Sequence, residues 1–338
     1  MGGKALKHIN TSRIDLKTLN KIKKEIDNIL LNQNEITIEY PFENPDKTDF
    51  GDIDILYKTN LDIDIYNFIK TKFNPKEIVT NGNVISFSYQ IDENNYVQID
   101  FILAQIVNLS KFYFSYGDVG QIIGMITKHY DLSFGDVGLF IKHISNDVIT
   151  KYSNSIVQNI DDKIYLCEDI GEICKYLDLD YSKWGYFASE LEIFNWLSSS
   201  KLCHPNIFIS GNHEHRHKVI TRPMYGRFIQ WLNFNNKNNL IINDKYFKYN
   251  KQEEAIEYFN KKNYLIQIIN NHIILLERKQ KFNGNKILSV RNIKDSKELG
   301  TFIKIFKSHI CEKFGSFENW LDINPTETID NYIKLFNY

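Results

Sequence analysis

Phe50-Gly51-Asp52-Ile53-Asp54-Ile55-Leu56 sets two carboxylates one residue apart in an otherwise apolar run. Side chains alternate between the two faces of a strand, so Asp52 and Asp54 share one face and Ile53 and Ile55 the other. Two like charges side by side are costly unless a cation lies between them. A divalent metal holding nucleotide phosphates is the commonest reason for such a pair. An exposed edge strand with outward-facing acids is the plainer one.

A second stretch bears on the choice. Tyr96-Val97-Gln98-Ile99-Asp100-Phe101-Ile102 carries an acid in the middle of an apolar strand. A buried carboxylate without a partner is expensive. Placed beside the first strand, Asp100 completes a cage of three carboxylates. Between the two stretches the pattern predicts a helix over 61–73 and a strand over 84–90. That strand forms an antiparallel hairpin with 96–103 through the turn Asp92-Glu93-Asn94-Asn95.

Upstream lies a polar lead over residues 1–12. Leu16, Leu19, Ile22, Ile26, Ile29 and Leu30 then follow helical spacing, with Ser12 or Asp15 as the cap. An alternating strand over 35–40 leads into a polar turn, residues 41–49, that contains Pro41 and Pro45. Downstream, Gly117-Asp-Val-Gly120 and Gly135-Asp-Val-Gly138 share a turn type, but their flanks differ too much for an internal repeat. From about residue 146 the pattern turns helical. After a strand at 164–167, helices are expected over 169–177, 189–197, 213–234 (broken at Pro223), 252–259, 264–281, 296–314 and 329–336. The expected fold is α+β: a mixed sheet with flanking helices over 1–145, followed by a mainly α-helical domain over 146–338 suited to substrate binding.

The 338 residues are 43% hydrophobic and 25% charged, enough for a real core, and the net charge of −1 gives no global field for a polyanion. Any such contact is local. The most basic window runs from His213-Glu-His-Arg-His-Lys218 to Arg222-Pro-Met-Tyr-Gly-Arg227-Phe-Ile-Gln-Trp231. Its interleaved aromatics suit a triphosphate or a nucleic-acid strand. They equally suit a helix with a solvated basic face and an aromatic core face. Cys203, His204, His213, His215 and His217 invite a zinc reading, but histidines two apart diverge on a helix and no second ligand pair completes the set. Cys167, Cys174, Cys203 and Cys311 lack paired spacing, which points to a reducing compartment. No apolar run is long enough for a membrane span and no signal-peptide core is present, so a cytoplasmic location is expected.

With Gly51-Asp-Ile-Asp-Ile on one strand and Asp100 on a later one, the chain resembles the DNA polymerase β-like nucleotidyltransferase superfamily. That group includes poly(A) polymerases, CCA-adding enzymes, small-ligand nucleotidyltransferases and cyclic-dinucleotide synthases. The segments Trp184-Gly-Tyr-Phe, Glu192-Ile-Phe-Asn-Trp and Arg222-Pro-Met-Tyr-Gly-Arg-Phe are also similar to nucleotidyltransferase-like proteins of large DNA viruses and phages. The first resemblance covers roughly residues 14–145. It implies a nucleotidyltransferase-like sheet and catalytic Asp52, Asp54 and Asp100 holding Mg²⁺ (or Mn²⁺). The donor would be an NTP such as ATP. The implied acceptor is an RNA 3′ end, as in a poly(A) polymerase or a tRNA-modifying enzyme, in a host cytoplasm if the protein is viral.

One family element is missing. An apolar-Gly-Gly/Ser motif normally precedes D-x-D and binds the triphosphate, whereas the window here is Ile38-Glu-Tyr-Pro-Phe-Glu-Asn-Pro-Asp. Nucleotide contacts would then fall to Lys47, Gly51, the terminal Gly2-Gly3-Lys4, Arg222 and Arg227. The gap also leaves room for the alternative of a catalytically inactive nucleotidyltransferase-fold binding subunit, working with a protein partner.

Overall fold

Alternation along the two acid-bearing stretches produces strands with one polar and one apolar face, and the fold is built on their pairing. The structure is a computed structural model. It describes residues 3–31, 35–59, 63–153, 160, 162–208, 213–236, 250–291, 293 and 295–337, without the side chains of 213–216. By packing, the chain divides into two units that interleave in sequence. The first comprises Met1–Lys142 and Lys163–Asn260, the second His143–Asp162 and Lys261–Tyr338. Residues 163–260 are thus assigned to the same unit as the five-stranded sheet.

The strands are, in chain order, β1 (Ile14–Asp15), β2 (Ile36–Glu39), β3 (Asp49–Phe50), β4 (Asp52–Thr59), β5 (Ile78–Asn81), β6 (Val84–Gln90) and β7 (Tyr96–Leu103), then β8 (Ser133–Gly135), β9 (Gly138–Ile141) and β10 (Ile164–Cys167). Five of them form a mixed sheet in the order β2-β4-β7-β6-β5. β4 and β7 run parallel, and the other pairs in this sheet are antiparallel. A parallel pair needs a long crossover, and the chain between β4 and β7 supplies it with the helix Ile65–Phe73 and the β5–β6 hairpin. That helix starts later than expected because the Asp64 carboxylate caps it by accepting from Asn67 N at 3.0 Å. The fold is α+β, as the sequence predicts.

On the apolar face, Ile53, Ile99 and Phe87 form one cross-strand row and Ile55, Phe101 and Ile85 the next. All six are buried. The helices Leu16–Leu30 and Ile65–Phe73 cover them through Leu19, Ile22, Ile26, Ile65 and Ile69. Each such side chain contributes about 1.5–3 kcal/mol by leaving water. The first helix begins where expected, with Asp15 accepting from Thr18 N at 2.8 Å. This packing supports the sheet from one side and leaves the opposite face to the polar residues.

The second unit contains the helices Asn146–Tyr152, Lys262–Lys281, Gly284–Arg291, Ser296–Phe314, Phe317–Ile323 and Thr326–Leu335. Its core is built on Phe302, Phe306, Ile310, Trp320, Ile329 and Ile333. Among the described residues, no helix is long and apolar enough to cross a membrane.

Candidate metal centre

The polar face of the sheet is a small grid. Asp52 on β4 pairs with Gln98 on β7, which pairs with Ser88 on β6. Two residues on, Asp54 pairs with Asp100, which pairs with Ser86. Two residues further, Leu56, Ile102 and Val84 form an apolar row, packed with Val107 and Phe114. The acids are therefore confined to the first half of the strands. The parallel register brings Asp52, Asp54 and Asp100 together, each offering a carboxylate oxygen within 4.8 Å of the others.

The cluster is electrostatically strained. Burial, followed by the charges of Asp52, Asp100 and Glu43, raises the Asp54 pKa well above the usual carboxylate range, and Lys47 partly opposes this. Burial also raises the Asp100 carboxyl to about 6; hydrogen bonding from Ser86 and Gln98 counters the shift, while Asp52 adds to it. Gln98 Nε2 donates to both Asp100 oxygens, at 2.8 and 3.0 Å. Three hard oxygen donors that repel one another at close range match what Mg²⁺ or Mn²⁺ requires of a site.

Cationic and backbone groups surround the aspartates. Lys47 lies with its Nζ 4.7 Å from the Phe50 ring centroid, and its charge reaches Asp54. Gly51 is buried at the entry to β4. Gly3 N donates to Asp52 Oδ2 at 3.1 Å. Gly3 sits at φ +80°, and a Cβ there would lie 2.2 Å from Gly51 O, so the position is closed to other residues. Lys4 follows, exposed. Gly2 lies outside the described residues.

Arg13 is a further cation that the sequence did not bring forward. The pairing of β1 with β3, Ile14 to Phe50 and Asp15 to Asp49, carries it to the acidic strand. Its Nε binds the Asp49 carboxylate, and its guanidinium lies within the field of Asp52.

Arg222 and Arg227 are already committed to carboxylates. Arg227 makes two bonds of 2.6 Å to the buried Glu190 carboxylate. Glu190 also accepts from Asn44 Nδ2 at 2.6 Å, and its backbone N–H donates to Asp46 Oδ2 at 2.9 Å. Arg222 Nη1 binds Asp118 Oδ1 at 3.1 Å. The Arg227 bonds thus brace residues 41–48, the loop that lacks the expected glycines.

The basic window itself forms the helices His213–Thr221 and Pro223–Asn236, interrupted at Arg222. Tyr225 and Phe228 are buried there among Phe194 and Phe208, so these two aromatics belong to the core. Burial raises the Cys203 thiol to about 12. Among the described residues, the aspartate triad is the one cluster of three or more groups able to hold a metal.

No protein-family model matches the chain. No curated protein matches it either. Among solved structures it is similar to one described as "Crystal structure of Leishmania infantum polymerase beta: Ternary gap complex", at 11% identity with a TM-score of 0.33, over 44% of this chain and 57% of that one. The chain thus spans just over half the length of the structure it matches.

Proposed function

We propose that the chain is a metal-dependent nucleotidyltransferase that uses an NTP. The observation that carries this reading is the parallel register that sets Asp54 beside Asp100, with Asp52 on the same face. Asp52, Asp54 and Asp100 are the residues to hold Mg²⁺ or Mn²⁺. When bound, such ions polarise phosphoryl oxygens and acidify an attacking hydroxyl.

The chain's own groups perform the rest. Asp100, whose proton affinity is raised, accepts the proton of the acceptor hydroxyl at a carboxylate oxygen or serves as a ligand. Lys47 and Arg13 carry charge beside the aspartates that suits a triphosphate. Gly3, Lys4 and Gly51 border the same ground, and Gly2 precedes them in sequence. In this reading Lys4 and Gly51, with Gly2 and Gly3 beside them in sequence or space, take over the triphosphate role of the missing Gly-Gly/Ser motif. Arg222 and Arg227 enter as supports of residues 41–48 and of the helices behind them.

An RNA 3′ end is the acceptor in this reading, as in poly(A) polymerase-like or tRNA-modifying enzymes. The deciding experiment incubates the full chain with Mg²⁺ or Mn²⁺, each labelled NTP and bulk RNA, with Asp52→Ala as control. Labelled RNA that disappears in the variant supports the reading. Labelling that persists in Asp52→Ala refutes the assignment. If no NTP is incorporated but Mg²⁺ with a non-hydrolysable NTP still raises the melting temperature, the protein is a nucleotide-binding subunit on the same fold.

A further inference from the structure

We propose that residues 3–12 are a working part of the metal centre, and that Gln98 is the positioning residue through which they orient Asp100; this rests on reading the aspartates as metal ligands. The segment crosses the grid in strand order. Gly3 N–H reaches Asp52 on β4 at 3.1 Å, and Ala5 N–H reaches Gln98 Oε1 on β7 at 2.9 Å. The N–H groups of Lys7, His8 and Ile9 then converge on the Glu77 carboxylate at 2.8, 2.8 and 2.9 Å. Ser12 N donates to Tyr96 O at 2.7 Å, and Thr11 Oγ1 donates back to Gly3 O at 3.1 Å. The segment is therefore fastened at both ends of its path.

Gln98 is only 2% exposed, and its amide has one acceptor end and one donor end. With Oε1 taken by Ala5 N–H, Nε2 must face Asp100, and it meets both carboxylate oxygens there. A docked segment thus fixes the amide with its donor end on Asp100, holding that carboxylate in one orientation toward Asp52 and Asp54. Among the described residues, Ala5 N–H is the donor that holds Oε1 outward; without that bond the constraint on the amide is lost. The amide can then turn and present an acceptor to an acceptor. Glu77 is the anchor, and Ser88 ties that anchor back to the grid by accepting from Glu77 N at 3.0 Å.

The test is a calorimetric titration of the full chain with Mn²⁺ alone, comparing wild type, Gln98→Leu, Glu77→Ala and Asp54→Asn, with hydrogen exchange on each. Partners of metal ligands typically govern affinity by about 10- to 100-fold. Gln98→Leu and Glu77→Ala are therefore expected to weaken Mn²⁺ binding by about that factor. Glu77→Ala should also release the amides of residues 3–9 while the sheet stays protected. If those amides are released and Mn²⁺ still binds as in wild type, the proposal is overturned. A folded Gln98→Leu with unchanged affinity overturns it as well. Should Gln98→Leu fail to fold, Glu77→Ala decides alone, since it leaves the sheet face intact. A failure of the underlying reading looks different: wild type binds no Mn²⁺, or Asp54→Asn binds it equally well.

Discussion

Replacing Asp54 by Asn should make the metal-free protein more stable and the metal-loaded protein less so, and this crossing is the sharpest consequence of the site. Asp54→Asn keeps the shape of the side chain and removes one charge from a cluster whose oxygens lie within 4.8 Å. At an effective dielectric constant of about 20, one such pair of charges repels by about 3 kcal/mol. Proton uptake and the nearby Lys47 relieve part of this, so the gain expected in EDTA at pH 7.5 lies between about 1 and 3 kcal/mol. In a unit of this size 1 kcal/mol corresponds to about 2–4 °C. With Mg²⁺ at about a hundred times its dissociation constant, wild type should gain about 2.7 kcal/mol and the variant almost nothing. Melting curves of both proteins in EDTA and in Mg²⁺ make the comparison. A variant that melts below wild type in EDTA, or that responds to Mg²⁺ as wild type does, refutes the reasoning.

Asp100 gives the metal-free protein a pH signature. Its folded pKa of about 6 lies above the ordinary 3.8, so between those values the folded state holds the proton more tightly than the unfolded state. Its contribution to stability is therefore present below about pH 4 and lost as pH rises through 6. The stability of wild type relative to Asp100→Asn should fall between pH 4 and pH 7 in EDTA, as urea midpoints would record, and a rise would contradict the assignment. Gly3→Ala must move a Cβ away from Gly51 O, so faster amide exchange over residues 3–9 is expected with the sheet unchanged. Arg227→Ala leaves the Glu190 carboxylate buried without its charge partner. Chemical denaturation should show a loss of about 1–3 kcal/mol, discounted because the guanidinium is half exposed. Arg13→Ala and Lys47→Ala should each raise the KM for the NTP by about tenfold, the worth of one charge-assisted contact, with kcat and melting temperature little changed; an unchanged KM would remove both from the nucleotide site.

Much of the sheet was legible because a period of two residues is a physical requirement of any half-buried strand. Asp52 and Asp54 had to share a face, and Asp100 needed a partner once Ile99 and Phe101 were placed inside. The parallel register itself was not legible. It depends on the crossover between β4 and β7, and β5 within that crossover carries too little alternation to be read. The sequence points to the terminal Gly2-Gly3-Lys4, but the docking of residues 5–9 was hidden, because their contacts are made by backbone N–H groups that leave no mark in side-chain chemistry. The place of Arg13 is not legible for a related reason: it depends on the short pairing of β1 with β3. The carboxylate partners of Arg222 and Arg227 were not legible either, because Asp118 and Glu190 are far away in sequence.

The apolar row of Leu56, Ile102 and Val84 bears on how the chain avoids misfolding. A slip of two residues between β4 and β7 would preserve the alternation of both strands and every isoleucine on the inner face. It would also move Asp54 from Asp100 to Ile102, beneath Val107 and Phe114. An ionised carboxylate forced into apolar surroundings costs several kcal/mol. The acids that weaken the native sheet therefore weaken its nearest mispaired competitor more. That penalty widens the gap between right and wrong pairing in a sheet whose central strands must find each other across some forty intervening residues.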